Sequence, residues 1–133
     1  MNKQTDSAIL KIPKSGRISG ISAFINIMAK AITTAEFPSL VADAKVPVLL
    51  DFWAEWCAPC RAFSSVVERF SGEYESRVIV GKVNVDEEPK LAEQFRVMSI
   101  PTVLIFKDGK LAETLVGARS FESLSAAVNN LLE

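Results

Sequence analysis

Histidine is absent from this chain of 133 residues, and cysteine occurs only twice. Without histidine no Ser-His-Asp or Cys-His arrangement can be built, and no imidazole is available to hold a metal. A domain stapled by disulfides spreads its cysteines so that they close long loops. Here the two are Cys57 and Cys60, in a loop too short to stabilise a fold by much. The pair is therefore there for chemistry or for metal. Long apolar runs are missing as well: no stretch of about 18 apolar residues occurs, so no spanning helix is expected. Nor is there an excess of charge. The formal net charge is −1, and nothing in it points to nucleic acid or to an anionic membrane as a partner.

What is present suits one domain. Nearly half of the residues, 49%, are apolar, enough for a sizeable core. Charge is unevenly placed. Residues 1–27 carry Lys3, Lys11, Lys14 and Arg17 against Asp6 alone, whereas residues 28–133 carry 11 basic and 15 acidic side chains. A boundary near Met28 follows, with residues 1–27 as an N-terminal extension and residues 28–133 as the domain. The extension is basic, contains serine and is poor in acids, with an apolar stretch from Ile18 to Met28. It reads either as an added tail or as a targeting segment.

Beyond the boundary the elements come in a clear order. Phe37, Leu40, Val41 and Ala44 share one face of a helix over Thr34–Ala44, with Thr34 as its cap and Pro38 in its first turn. Val46–Trp53 is apolar almost throughout and reads as a strand covered on both faces. A helix follows from Ala58 to about Glu75, then a β-branched strand over Val78–Val85 and a short helix over Pro89–Phe95. Thr102–Phe106 and Leu111–Val116 are strands joined through Asp108-Gly109, a strong hairpin signal. A helix over Phe121–Leu132, capped by Ser120, closes the chain, and a short strand at Lys30–Thr33 precedes the first helix. Alternating strands and helices that end in a hairpin predict an α/β fold, a mixed central β-sheet with helices on both faces.

Trp56-Cys57-Ala58-Pro59-Cys60 sits where the buried strand turns into a helix. Free backbone N–H groups and the helix dipole favour a thiolate at Cys57, and the thiolate is the nucleophile of disulfide exchange. Cys60 falls on the same side of the first turn and can attack the mixed disulfide that Cys57 forms. Cys57 is expected to be the exposed attacker and Cys60 the more buried resolving thiol. A passive bridge is the bland alternative, and half of a zinc site is another. The chain offers no further Cys or His to complete such a site.

Asp51 is the only charged side chain in its strand and shares a face with Leu49 and Trp53. Desolvation raises the pKa of a carboxyl so placed, which suits it to take the Cys60 proton through a water. The alternative is a structural acid satisfied by hydrogen bonds. Lys82, in the next strand, either approaches Asp51 or is a solvated edge lysine. Pro101 opens a strand, where spacing alone favours an ordinary trans proline.

The segment from Asp51 to Cys60 resembles the active-site segment of the thioredoxin family. So do Lys82-Val83-Asn84-Val85-Asp86, Ile100-Pro101-Thr102, Phe106-Lys107-Asp108-Gly109 and Val116-Gly117-Ala118, in that order along the chain. The resemblance implies a thioredoxin fold and a reductant role in protein thiol exchange. It implies that Pro101 is cis beside the cysteines and that Asp51 and Lys82 form the buried charged pair behind them. It further implies a shallow apolar groove for disulfide-containing protein substrates around Trp56, Ala58, Pro59, Ile100, Pro101, Val116, Gly117 and Ala118. A substrate strand would lie there and pair with the backbone at Ile100. No cofactor and no metal are implied; a thioredoxin reductase would supply electrons to a cytoplasmic monomer, or to an organellar or exported one if residues 1–27 are a targeting segment.

Three positions depart from the family pattern. Ala58 stands where glycine is usual, and alanine favours the helix by about 1 kcal/mol. Ser65 replaces a proline that kinks the active-site helix in many members, so a straighter helix is expected. Ser99 stands where glycine is common and narrows the groove lip. Within the same chemistry an oxidase or isomerase competes with the reductase reading, and outside it a scaffold that uses the fold for binding. Retention of both cysteines, Asp51 and Trp56 speaks for the chemistry.

Overall fold

The fold is built around Val48–Trp53 (β2), five of whose six side chains are apolar and all but the last of which are buried. Such a strand needs cover on both faces, and the computed structural model, which describes residues 29–132, supplies it. Nine elements follow one another: β1 (Lys30–Ala31), α1 (Phe37–Asp43), β2, α2 (Ala58–Glu73), β3 (Ile79–Asn84), α3 (Pro89–Gln94), β4 (Thr102–Lys107), β5 (Lys110–Val116) and α4 (Phe121–Asn129). The strands form one sheet in the order β1-β3-β2-β4-β5. β1, β3 and β2 run parallel, and β4 and β5 are antiparallel to their neighbours. The mixed sheet with helices on both faces is the architecture expected from the sequence.

Period-2 alternation divides β2 and β4 between two cores. Leu49, Val103 and Ile105 point to one side, where Phe63, Val67 and Phe70 of α2 and Leu124 and Val128 of α4 cover them. Val48, Leu50, Phe52, Leu104 and Phe106 point to the other, beneath Phe37 and Val41 of α1 and Leu91 of α3. Gly81 lets β1 approach closely: a Cβ there would stand 2.5 Å from Cγ1 of Ile32. Asp108 and Gly109 turn the β4–β5 hairpin with φ of 54° and 81°, the positive pair a tight two-residue turn requires.

Element ends differ from expectation by one to three residues. Thr34 does not cap α1. The N-cap of α1 is Glu36, which makes no side-chain cap hydrogen bond. In the turn ahead of it the Thr33 hydroxyl accepts the Glu36 N–H at 3.2 Å and the Glu36 carboxylate accepts the Thr33 N–H, a reciprocal pair of the capping-box kind. Thr34 instead donates its N–H and hydroxyl to the Glu88 carboxylate at 2.8 and 2.9 Å, tying the loop to the start of α3. Ser120 does cap α4, accepting the Ser123 N–H at 3.1 Å. After Asn129 the last backbone bonds span three residues rather than four, so the closing helix stops short of Leu132.

Candidate active site

β2 delivers the chain into the site. Ala54 is fully buried, and its carbonyl accepts the Cys57 N–H at 3.2 Å, closing the turn that leads to α2. Cys57 has extended backbone, φ −92° and ψ 105°, and occupies the N-cap of α2, with Pro59 in the first turn. Its Sγ accepts the Cys60 N–H at 3.2 Å. Sulfur thus stands where a capping oxygen normally would, against the unpaired N–H groups of a helix start. A disulfide joins Cys57 to Cys60 with the Cα atoms 5.2 Å apart. Oxidised, Cys57 is less open than the sequence suggests: 5% of the residue is exposed against 1% of Cys60. The expected order holds, but the attacker is reached only through a narrow opening, because Ala54, Val85 and Ile100 pack round the pair.

The opposite wall comes from the loop before β4. The Ile100–Pro101 peptide bond is cis, as the family resemblance implies and the strand-start reading does not. The Ile100 carbonyl oxygen lies 3.8 Å from the Cys57 sulfur. The Pro101 carbonyl accepts the Gly117 N–H at 2.8 Å, which brings the end of β5 alongside. Trp56 is 68% exposed, and its indole N–H donates to Asp86 at 2.9 Å. An open cavity of about 530 Å³ lies beside the disulfide, lined by Trp56, Cys57, Ala58, Pro59, Val85, Val97, Met98, Ser99 and Ile100. None of these side chains is charged. Pro101, Val116, Gly117 and Ala118 do not line it; Val116 lies across the Pro101 loop, paired with Thr102 in the sheet and 56% exposed. Val85, Val97 and Met98 are additions that the sequence did not single out. Val97 and Met98 signal only by apolar character just before the Ile100-Pro101 pair, and Val85, just past the end of β3, falls in the Lys82–Asp86 segment of the resemblance without a role assigned to it.

In β2 Asp51 is fully buried, and neither carboxyl oxygen has a hydrogen-bond partner among the described residues. Burial pushes its pKa up to about 6 from the ordinary 3.8; the nearby Lys82 ammonium pulls down and the Glu68 carboxylate pushes up. Lys82 pairs with Asp51 in register between β3 and β2. β3 has β1 on its other side, so Lys82 is not on an edge strand. Its ammonium donates to the Ser64 hydroxyl at 3.1 Å and sits 4.7 Å from the centre of the Trp53 ring. Ser64 and Glu68 are one turn apart on α2, and sequence reading missed both because Ser and Glu on a helix ordinarily face water. Among the described residues no three potential metal ligands come together, and no helix is long and apolar enough to cross a membrane.

Two sulfurs that can hold one disulfide or two thiols, at the N-cap of a helix and facing a cis proline, define the class: a thiol–disulfide oxidoreductase working through a Cys-x-x-Cys pair. The family model for thioredoxin matches residues 28–130. Thioredoxin 1 of Synechococcus elongatus is 48% identical over 91 residues, 68% of this chain and 85% of that protein. The thioredoxin of Rickettsia bellii is 43% identical over 103 residues, 77% and 98% of the two chains. A solved point mutant of the thioredoxin from Halobacterium salinarum superposes with a TM-score of 0.73 at 29% identity, covering 81% of this chain and 94% of its own. The chain belongs to the thioredoxin family.

Proposed function

We propose that this protein reduces disulfide bonds in other proteins, with Cys57 as the nucleophile and Cys60 as the resolving thiol. The observation that carries the reading is the placement of the Cys57 sulfur at the N-cap of α2, against the Cys60 N–H, with Cys60 behind it. In the reduced protein the Cys57 thiolate attacks one sulfur of a substrate disulfide. That bond breaks, the other sulfur leaves as a thiolate, and a mixed disulfide forms. Cys60 then loses its proton and attacks the Cys57 sulfur. The Cys57–Cys60 disulfide re-forms, and the substrate departs with both of its sulfurs as thiols. Two electrons pass to the substrate in each cycle, and a thioredoxin reductase returns them.

Asp51 is the base for Cys60. A buried carboxyl whose pKa is lifted to about 6 takes up and gives back a proton close to neutral pH, which no histidine in this chain can do. Lys82, on the neighbouring strand and out of contact with the carboxyl, moderates that rise without cancelling it. The uncharged groove, with Trp56, Ala58, Pro59 and Ile100 in its wall, holds the substrate segment around its disulfide, and Val116, Gly117 and Ala118, outside that cavity across the Pro101 loop, extend the contact surface. An extended substrate strand pairs with the backbone at Ile100. The working unit is residues 28–133, acting as a monomer in the cytoplasm, with residues 1–27 as a tail; were they a targeting segment, the same chemistry would serve an organelle or an exported protein.

Insulin disulfide reduction with dithiothreitol as electron source tests the reading. The wild type is expected to turn over rapidly and Cys57→Ser not at all. Serine is itself a good N-cap, so the variant keeps the helix start while losing the nucleophile. Turnover by Cys57→Ser, or none by the wild type, would refute the assignment.

A further inference from the structure

Lys82 and Asp51 are register partners on adjacent parallel strands and face the same helix, α2, yet they are not in contact. No ion pair within 4.0 Å joins them, and both oxygens of Asp51 lack a partner among the described residues. A lysine beside a buried carboxyl normally closes on it, since pairing relieves the desolvation of both. What keeps this ammonium away is visible. It donates to the Ser64 hydroxyl on α2, and it stands over the Trp53 ring. Neither anchor is an anion, so the positive charge is held in place without being neutralised.

We propose that Ser64 is a positioning residue that holds the Lys82 ammonium out of ion-pair contact with Asp51, leaving that carboxyl free to carry a proton. The physical reason is a choice between two acceptors. The hydroxyl accepts a charge-assisted hydrogen bond from Lys82 at 3.1 Å, and every proton of the ammonium spent there is not spent on Asp51. The remaining surroundings of Asp51 do not substitute for this. From β4 its register neighbour is Val103, which is apolar. From α2 the charged group is Glu68, which repels the ionised carboxylate. Among the described residues Lys82 is thus the one cation acting on Asp51, and Ser64 sets where it stands. The inference rests on the proposed role of Asp51 for its purpose, and on geometry alone for its content.

The test follows the Asp51 carboxyl by carbon-detected NMR across pH in the oxidised full-length protein. With Ser64→Ala the ammonium is released toward Asp51, and the titration midpoint is expected to fall by about one pH unit. Ser64→Thr, which keeps the hydroxyl, should restore the wild-type midpoint. In a Lys82→Met background Ser64→Ala should move nothing, because no ammonium remains to be positioned. An unchanged or raised midpoint in Ser64→Ala, with the fold intact by NMR, would overturn the proposal. So would an equal fall in the Lys82→Met background. The pH profile of insulin reduction separates this inference from the reading beneath it. If the Asp51 midpoint falls in Ser64→Ala and the activity profile does not follow, Ser64 positions Lys82 as proposed and it is the proton role of Asp51 that is wrong.

Discussion

Asp51 occupies the one position in β2 where a charge must be desolvated, and its burial has a measurable consequence for stability. Unfolded, the carboxyl titrates near 3.8; folded, it titrates at about 6. Between those values the native state holds a proton that the unfolded state has lost, so stability falls as pH rises through this window. Above it both states are ionised and the penalty is constant, on the order of 3 kcal/mol for a shift of this size. Asp51→Asn, which imitates the protonated acid, is expected to stabilise the protein by about 2 kcal/mol at pH 8 and to bring no gain below about pH 4. Urea unfolding at the two pH values checks this, and a gain that is equal at both would remove the charge explanation. Burying an unpartnered carboxyl in β2 thus leaves the molecule less stable at neutral pH.

At the scale of elements, Gly81 marks how tightly the outer parallel strand is seated. A Cβ at this position meets Cγ1 of Ile32 at 2.5 Å and Cδ2 of Leu50 at 3.0 Å, both on packed side chains. Gly81→Ala is expected to push β1 outward and to cost about 1–3 kcal/mol. The urea midpoint should drop, and hydrogen exchange should speed up at the Ile32 N–H, which donates to the Lys82 carbonyl. Elements of this kind were legible in the sequence wherever a period or a turn signal spoke. The apolar run of β2, the helical spacing of Phe63, Val67 and Phe70, and Asp108-Gly109 gave the order and the type of every described element. Their ends were less legible. Thr33 and Thr34 are chemically identical, and neither caps α1: the first closes on Glu36 in the turn ahead of the helix and the second on Glu88, partners that no local pattern tells apart. In the site, the cysteines and the lone acid of β2 stood out by type and spacing. Ser64 and Glu68 did not, because nothing in a helix pattern tells a polar side chain turned toward a half-buried lysine or a buried acid from one in water.

The whole molecule is two cores separated by one sheet, and each depends on its own helices. Phe70 is fully buried on the α2 side, stacked on Tyr74 at 4.3 Å and near Phe121 at 5.9 Å. Phe70→Ala is expected to cost about 3–5 kcal/mol, a large part of the stability of a domain this size. Thermal melting and urea unfolding would show it as one cooperative transition at lower temperature and lower denaturant. A second, separate transition would mean that the two layers do not unfold together.

The direction of the parallel strands decides how this molecule could be tethered. Ala29 enters next to Lys30, which stands level with Gly81 and, one strand further, with Leu50. The disulfide lies beyond the far end of β2, past Trp53, and β1 is the outermost strand on its side of the sheet. A surface, a bead or a fused protein joined directly at Ala29 would therefore meet the domain at the flank of the sheet, level with the middle of β2 rather than with the end that leads into the disulfide.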